Sequence, residues 1–153
     1  METQEKRADL LNTLIEINND RIEGYGKAIE IISGTSDIDL QTIFEMYRDQ
    51  SIQFKAELIP LVRRTGEEPT DDTRTSGKLF RVWMDIKSAV TPSSARAVLE
   101  SCERGEDEFK AVYRKCLEDA GTDAVDLIPI IQSQAELQLT AHDHIKELRD
   151  HTD

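Results

Sequence analysis

Five polar residues interrupt otherwise apolar helical stripes, and their types could do chemistry. They are Asn18, Ser51, Glu106, Gln138 and His142. A carboxylate and an imidazole that converge in a helical core, with amides beside them, could hold a metal ion or a small ligand. The same residues could instead form a satisfied polar layer that fixes helix register. Both arrangements require partners, because an unpaired buried polar group destabilises a fold.

Three further acids extend the candidate metal site. Glu23, Glu57 and Glu103 lie about one turn from the five or on their flank, so with Glu106 and His142 they make up the candidate metal ligands. A di-iron carboxylate centre needs Glu-x-x-His on two helices, because carboxylates and imidazoles must converge on two cations. The sequence contains no Glu-x-x-His, and its three histidines all lie on the last predicted helix or at its end. The pattern favours a polar layer without a resident cofactor, and iron or manganese stays the alternative.

Helical periodicity places these residues on four long helices. Apolar residues recur at steps of three and four over about 7 to 32, 37 to 64, 94 to 119 and 124 to 150. Because the segment midpoints lie close to the polar interruptions, an antiparallel bundle would bring these side chains to one height. Glycines end the first and third segments, and Pro129 lies near the first turn of the last. The stripe of the first helix is assigned to Leu11, Leu14, Ile22, Tyr25, Ile29 and Ile32.

A long connection separates the second and third of these helices. Residues 64 to 78 carry turn formers and no large apolar side chain, which predicts a surface segment. Apolar residues at helical spacing then predict a short amphipathic helix over about 78 to 90. Phe80 and Trp83 on this helix would leave apolar surface at the bundle rim. They predict a homo-oligomer, such as a dimer formed through these two residues.

Charge and the absence of apolar runs exclude several classes of partner. The formal net charge of -12 argues against nucleic acid and anionic membrane surfaces. The start, METQEKRADL, lacks the apolar core of a secretory signal, and no run approaches the roughly 20 apolar residues of a membrane span. Neither a phosphate-binding glycine loop nor a nucleophile elbow occurs. We expect a cytoplasmic, non-catalytic protein that forms one all-α domain over residues 1–153.

Four segments of this chain together resemble a known family. They are NNDRIEGY (18–25), VWMDIK (82–87), CERGED (102–107) and AHDHIKELRD (141–150). The resemblance, over about residues 9–150, is to a bacterial domain-of-unknown-function family of four-helix bundles in the ferritin-like superfamily. It implies a ferritin-like antiparallel four-helix bundle, with the long crossover and its short helix between helices two and three, and it brings no established activity. The chain departs from the family pattern at Pro60, which leaves the geometry near Glu57 open.

Two functions are compatible with these patterns. The favoured one is a non-catalytic bundle with a mid-bundle polar layer and a role in assembly or protein interaction. In that case Glu106 is a structural acid, which we expect to hydrogen-bond to Gln138, His142 or Asn18. The alternative is a metal-binding ferritin-like protein that uses iron or manganese in a redox or storage role.

Overall fold

The computed structural model describes residues 3–33, 38–73 and 95–152. In these ranges the chain forms four α-helices and no β-strand. The helices are α1 (Thr3–Ile32), α2 (Ile38–Arg63), α3 (Ala95–Asp123) and α4 (Ile128–Asp150), with a 3-10 turn at Val125–Leu127 before α4. The short helix predicted over 78 to 90, with Phe80 and Trp83, lies outside the described residues.

Glycine and proline lie at or near three of the helix ends, but only some of them mark where a helix begins or ends. Gly66, with φ of 89°, follows α2 in the left-handed backbone that glycine adopts at little cost. Gly121 instead remains helical, and α3 continues to Asp123 rather than ending near 119. Buried Ala120 and Ala124 keep this last turn against the core. Pro129 lies in the first turn of α4, where its missing amide hydrogen removes no helical hydrogen bond.

Contacts between side chains establish the relative directions of α1, α2 and α3. Tyr25 lies beside Phe44, and Arg21 beside Ser51, so α1 and α2 are antiparallel. Ion pairs of Arg21 with Glu106 and of Lys6 with Asp123 make α3 antiparallel to α1 as well. α2 and α3 therefore run in the same direction, and residues 64–94 must connect opposite ends of the bundle.

The described start of this crossover runs along α1. The side-chain amide of Asn12 donates to the carbonyl of Glu68 at 3.2 Å, and its oxygen accepts from the amide of Thr70 at 3.0 Å. Two turns further along α1, Asn19 donates to the carbonyl of Asp72 at 2.9 Å. The segment thus passes from the start of α1 towards its end, which is the direction a long crossover requires.

The core-facing stripe of α1 differs in phase from the predicted one. Residues at alternating steps of three and four are fully or almost fully buried; they are Leu11, Leu14, Asn18, Arg21, Tyr25, Ala28 and Ile32. Ile22 and Ile29, which were assigned to the stripe, are only half-buried. Ile29 nevertheless packs against the core, so the assignment is wrong only at Ile22, because α1 follows a seven-residue repeat whose centre is Arg21.

Candidate functional site

A fully buried guanidinium occupies the centre of the bundle. Arg21 is held on the inner face of α1, and Glu106 lies opposite it on α3. Arg21 Nε donates to Glu106 Oε1 at 2.8 Å and Nη2 donates to Oε2 at 2.9 Å, while Nη1 donates to Ser51 Oγ at 3.0 Å. Both charged side chains are 0% exposed. This is a bidentate, charge-assisted ion pair that links α1, α2 and α3.

Aromatic rings surround this guanidinium. Its Cζ lies 5.0 Å from the ring centre of Phe109, 5.6 Å from that of Tyr25 and 6.0 Å from that of Tyr47. Ring faces attract a cation at such distances, and the attraction increases when water is excluded. The rings therefore replace part of the hydration that Arg21 loses on burial.

The electrostatics of the centre follow from burial and from the single ion pair. Burial acts to lower the pKa of Arg21, but Glu106 and the nearby tyrosines outweigh it, so the net shift is upward. Burial, followed by the charge of Glu106, raises the pKa of Tyr25 well above its ordinary value. The centre consequently contains a permanent cation and a neutral phenol.

A second polar layer lies about one turn from the ion pair. Asn18 Nδ2 donates to the hydroxyl oxygen of Tyr113 at 2.9 Å, and that hydroxyl donates to Gln134 Oε1 at 2.7 Å. Gln134 Nε2 then donates to Glu57 Oε1 at 2.9 Å, near the surface. Burial raises the pKa of Tyr113, which keeps its phenol protonated as the donor that this chain of hydrogen bonds needs.

The predicted partners of Glu106 differ from those observed. Its carboxylate pairs with Arg21 rather than with Gln138, His142 or Asn18. Gln138 does reach the same residue, but its Nε2 donates to the backbone carbonyl of Glu106 at 3.0 Å. A guanidinium presents several donors in a fixed fork, and it therefore satisfies both carboxylate oxygens where one amide could not.

His142 is largely buried and contacts two exposed carboxylates. Its Nε2 is 2.6 Å from Asp107 Oδ1 and its Nδ1 is 3.0 Å from Asp143 Oδ1. Burial acts to lower the pKa of His142, but the hydrogen bonds that its ring donates to Asp143 and Asp107 outweigh burial, so the pKa is raised above 6.5. The imidazole thus pairs with Asp107 and Asp143 rather than with the carboxylate of Glu106.

The five candidate metal ligands lie in different places. Glu23 is exposed on α1, Glu57 contacts Gln134, and Glu103 pairs with Arg149 at 3.2 Å. Glu106 and His142 have the partners given above. Among the described residues, no three or more His, Cys, Asp and Glu side chains are grouped so that they could hold a metal ion.

Sequence reasoning missed Arg21, although its position carried a signal. Arginine is seldom fully buried, and Arg21 was not included when the stripe was assigned. The spacing of Leu14, Asn18, Arg21 and Tyr25 nevertheless alternates steps of four and three, as a core stripe does. A buried glutamate on another helix also requires a cation, and Arg21 is the one that this spacing supplies.

The helices and their buried ion pair define a class of protein. The chain superposes on a solved structure of a mutant of Dps1 from Mycobacterium smegmatis with a TM-score of 0.79 and 12% sequence identity, over 96% of this chain and 97% of that one. No curated protein matches the chain. The fold is thus a ferritin-like helical bundle, in this chain with an arginine–glutamate pair at its centre.

The family follows from the sequence itself. Residues 6–119 match the family described as Domain of unknown function (DUF2383). This range covers most of the chain and includes Arg21, Ser51 and Glu106. The chain belongs to that family.

Proposed function

We propose that the protein is a non-catalytic bundle whose surface mediates assembly or protein interaction. The observation that carries the proposal is the Arg21–Glu106 ion pair, which fills the bundle centre with the protein's own charges. Arginine stays protonated at all ordinary pH values, so it cannot act there as a proton donor or acceptor in a reaction. Function is then left to the outer faces of the helices.

Exposed apolar side chains on the outer faces support this proposal. Ile38 is 73% exposed and Ile52 is 47% exposed on α2, while Leu137 is 52% exposed on α4. Single exposed apolar residues are ordinary, but several on long, rigid helices provide surface that a partner can bury. None of the described helices is long and apolar enough to cross a membrane.

Light scattering coupled to size-exclusion chromatography tests the proposal. We expect a mass of two or more chains at micromolar protein concentration, with dissociation on dilution. A monomer at every concentration up to about 100 µM, which would leave less than about 5 kcal/mol for self-association, would contradict assembly with itself.

The alternative is a ferritin-like protein that binds iron or manganese for a redox or storage role. If Glu106 served as a ligand, the bound cation would lie close to the guanidinium of Arg21, which donates to both oxygens of that carboxylate. Like charges at that distance repel strongly in a buried site. Metal analysis of protein purified without chelator decides between the two proposals. Stoichiometric iron or manganese would overturn the non-catalytic proposal. A metal content below about one-tenth of the protein on a molar basis, roughly one order of magnitude short of a filled site, would support the non-catalytic proposal.

A further inference from the structure

The helix α2 carries a second stripe on the side away from the core. Its inner stripe, which includes Phe44, Phe54 and Leu58, is buried. The outer stripe also alternates steps of four and three, and it consists of Glu45, Asp49, Ile52, Ala56, Ile59 and Arg63. Ile52, Ala56 and Arg63 are exposed. Glu45 and Ile59 are half-buried, Glu45 with a hydrogen bond from Gln41 at 3.3 Å and Ile59 in contact with the edge of the core. A helix with this spacing on two faces can pack against two sets of neighbours.

Charge is ordered along the outer stripe of α2. Glu45 lies before the apolar centre at Ile52 and Ala56, and Arg63 lies after it. Asp49, which also precedes the centre, is paired at 3.3 Å with its neighbour Arg48. The stripe therefore presents two acids at one end, a base at the other and apolar side chains between them, over about 27 Å from residue 45 to residue 63.

We propose that this stripe is the contact surface for a second copy of the same chain, with the two α2 helices antiparallel about a two-fold axis between Ile52 and Ala56. In that register Glu45 of each copy lies opposite Arg63 of the other, and Ile52 packs against Ala56. A surface that complements itself in this way closes a dimer with two equivalent ion pairs. A parallel pairing would place Glu45 against Glu45, which is repulsive.

This inference rests on the proposed assembly role, and charge reversal tests it. Glu45→Arg and Arg63→Glu each place like charges at both ends of the contact, and each should weaken the dimer roughly tenfold or more. The double variant Glu45→Arg, Arg63→Glu restores both ion pairs and should return the dissociation constant to within about threefold of the wild type. Sedimentation equilibrium gives the dissociation constant of the wild type, of the two single variants and of the double variant.

Control variants carry the same charge changes on other helices. Glu147→Arg on α4 and Lys115→Glu on α3 change net charge as the two single variants do, and both positions are exposed. We expect them to leave the dissociation constant within about threefold of the wild type. If they weaken the dimer as much as the α2 variants, general charge repulsion explains the effect and the proposed contact is wrong.

Cross-linking gives an independent measure of position. Ile52→Cys should be joined to itself by a short bis-maleimide, because this side chain lies beside the two-fold axis. Leu137→Cys, of similar exposure on α4, is the matched control and should stay uncross-linked. The native Cys102 and Cys116 are buried, so the wild-type chain gives the background. Circular dichroism melts check that each variant is folded.

The outcomes separate this inference from the assembly role. If the wild type is a monomer, the α2 contact and self-assembly are both contradicted. If it assembles, but charge reversal on α2 has no effect, the double variant does not recover, or Leu137→Cys cross-links instead of Ile52→Cys, only the α2 contact is overturned.

Discussion

Removing either member of the central ion pair should destabilise the protein far more than removing both. In Glu106→Leu the guanidinium of Arg21 stays buried, with Ser51 as its remaining hydrogen-bond partner. An uncompensated buried charge costs about 3–5 kcal/mol. Arg21→Met strands the carboxylate in the same way and should cost a similar amount. Either loss is a large part of the roughly 5–15 kcal/mol that stabilises a typical domain.

The double variant Arg21→Met, Glu106→Leu replaces both charges by apolar side chains of similar size. Because the desolvation penalty of both ions disappears together with their attraction, we expect a free energy of unfolding within about 2 kcal/mol of the wild type. The coupling energy between the two positions should then be about 4 kcal/mol or more. Urea unfolding followed by circular dichroism at 222 nm gives the free energies of unfolding of the four proteins in this double-mutant cycle, which are the wild type, the two single variants and the double variant.

The same chain offers a matched control for this cycle. Arg96 and Glu100 form an ion pair on α3 at 3.2 Å, with the two side chains 45% and 48% exposed. Removal of Glu100 should cost less than about 1 kcal/mol, because solvent screens an exposed pair. If the central variants behave like this control, with small and additive effects, Arg21 and Glu106 are solvated and our account of the bundle centre is refuted.

Three further predictions concern Tyr113, His142 and Asn12. Tyr113→Phe removes the hydroxyl that donates to Gln134, so buried polar atoms lose their hydrogen-bond partners. Urea unfolding should report a free energy of unfolding that is lower by about 1–3 kcal/mol. An unchanged free energy would mean that water or a side-chain rotation replaces the hydroxyl. The pKa of His142 is raised when folded, so its charged form stabilises the fold below pH 6.5, and this contribution is lost as the pH rises through the folded pKa. His142→Asn should therefore destabilise at pH 5.5 and be close to neutral at pH 8.5, and an equal effect at both values would contradict the pairing with Asp107. Asn12→Ala removes the hydrogen bonds of Asn12 to Glu68 and Thr70 in the crossover. Limited proteolysis within residues 67–73 should then be faster than in the wild type. An unchanged rate would show that these hydrogen bonds do not hold the segment.

The helices could be predicted because their cues are local. Apolar residues at steps of three and four define each long segment, and Pro129 marks the start of α4. The end of α3 could not be placed from Gly121, because glycine ends a helix only where the backbone turns left-handed, and buried Ala124 favours one further turn. Tertiary packing, which a local pattern does not contain, decided this boundary.

The bundle centre was only partly predictable. Ser51 and Glu106 could be identified as inward-facing because each breaks an apolar stripe, and both contact the same guanidinium. Arg21 could not be recognised by that rule, since a charged residue between polar neighbours looks like part of a solvated face. His142 lies within an apolar stripe and is largely buried, as that pattern indicates, but its imidazole pairs with Asp107 on the exposed side of α3 rather than with Glu106.

The central pair also determines how α1 and α3 align. One turn of sliding in one direction would bring Arg21 opposite Cys102 or Glu103, and in the other direction opposite Phe109 or Lys110. Of these four residues only Glu103 has a carboxylate, and it already pairs with Arg149. Either shift would separate Arg21 from Glu106 and leave the buried carboxylate of Glu106 without its cation, at a cost of several kcal/mol, while the apolar stripes alone would tolerate such a shift at less cost. The hydrogen bond from Asn18 to Tyr113 favours the same alignment. The pair therefore contributes to the selection of one register more than to net stability, and a bundle with a single register presents a fixed outer surface to whatever binds it.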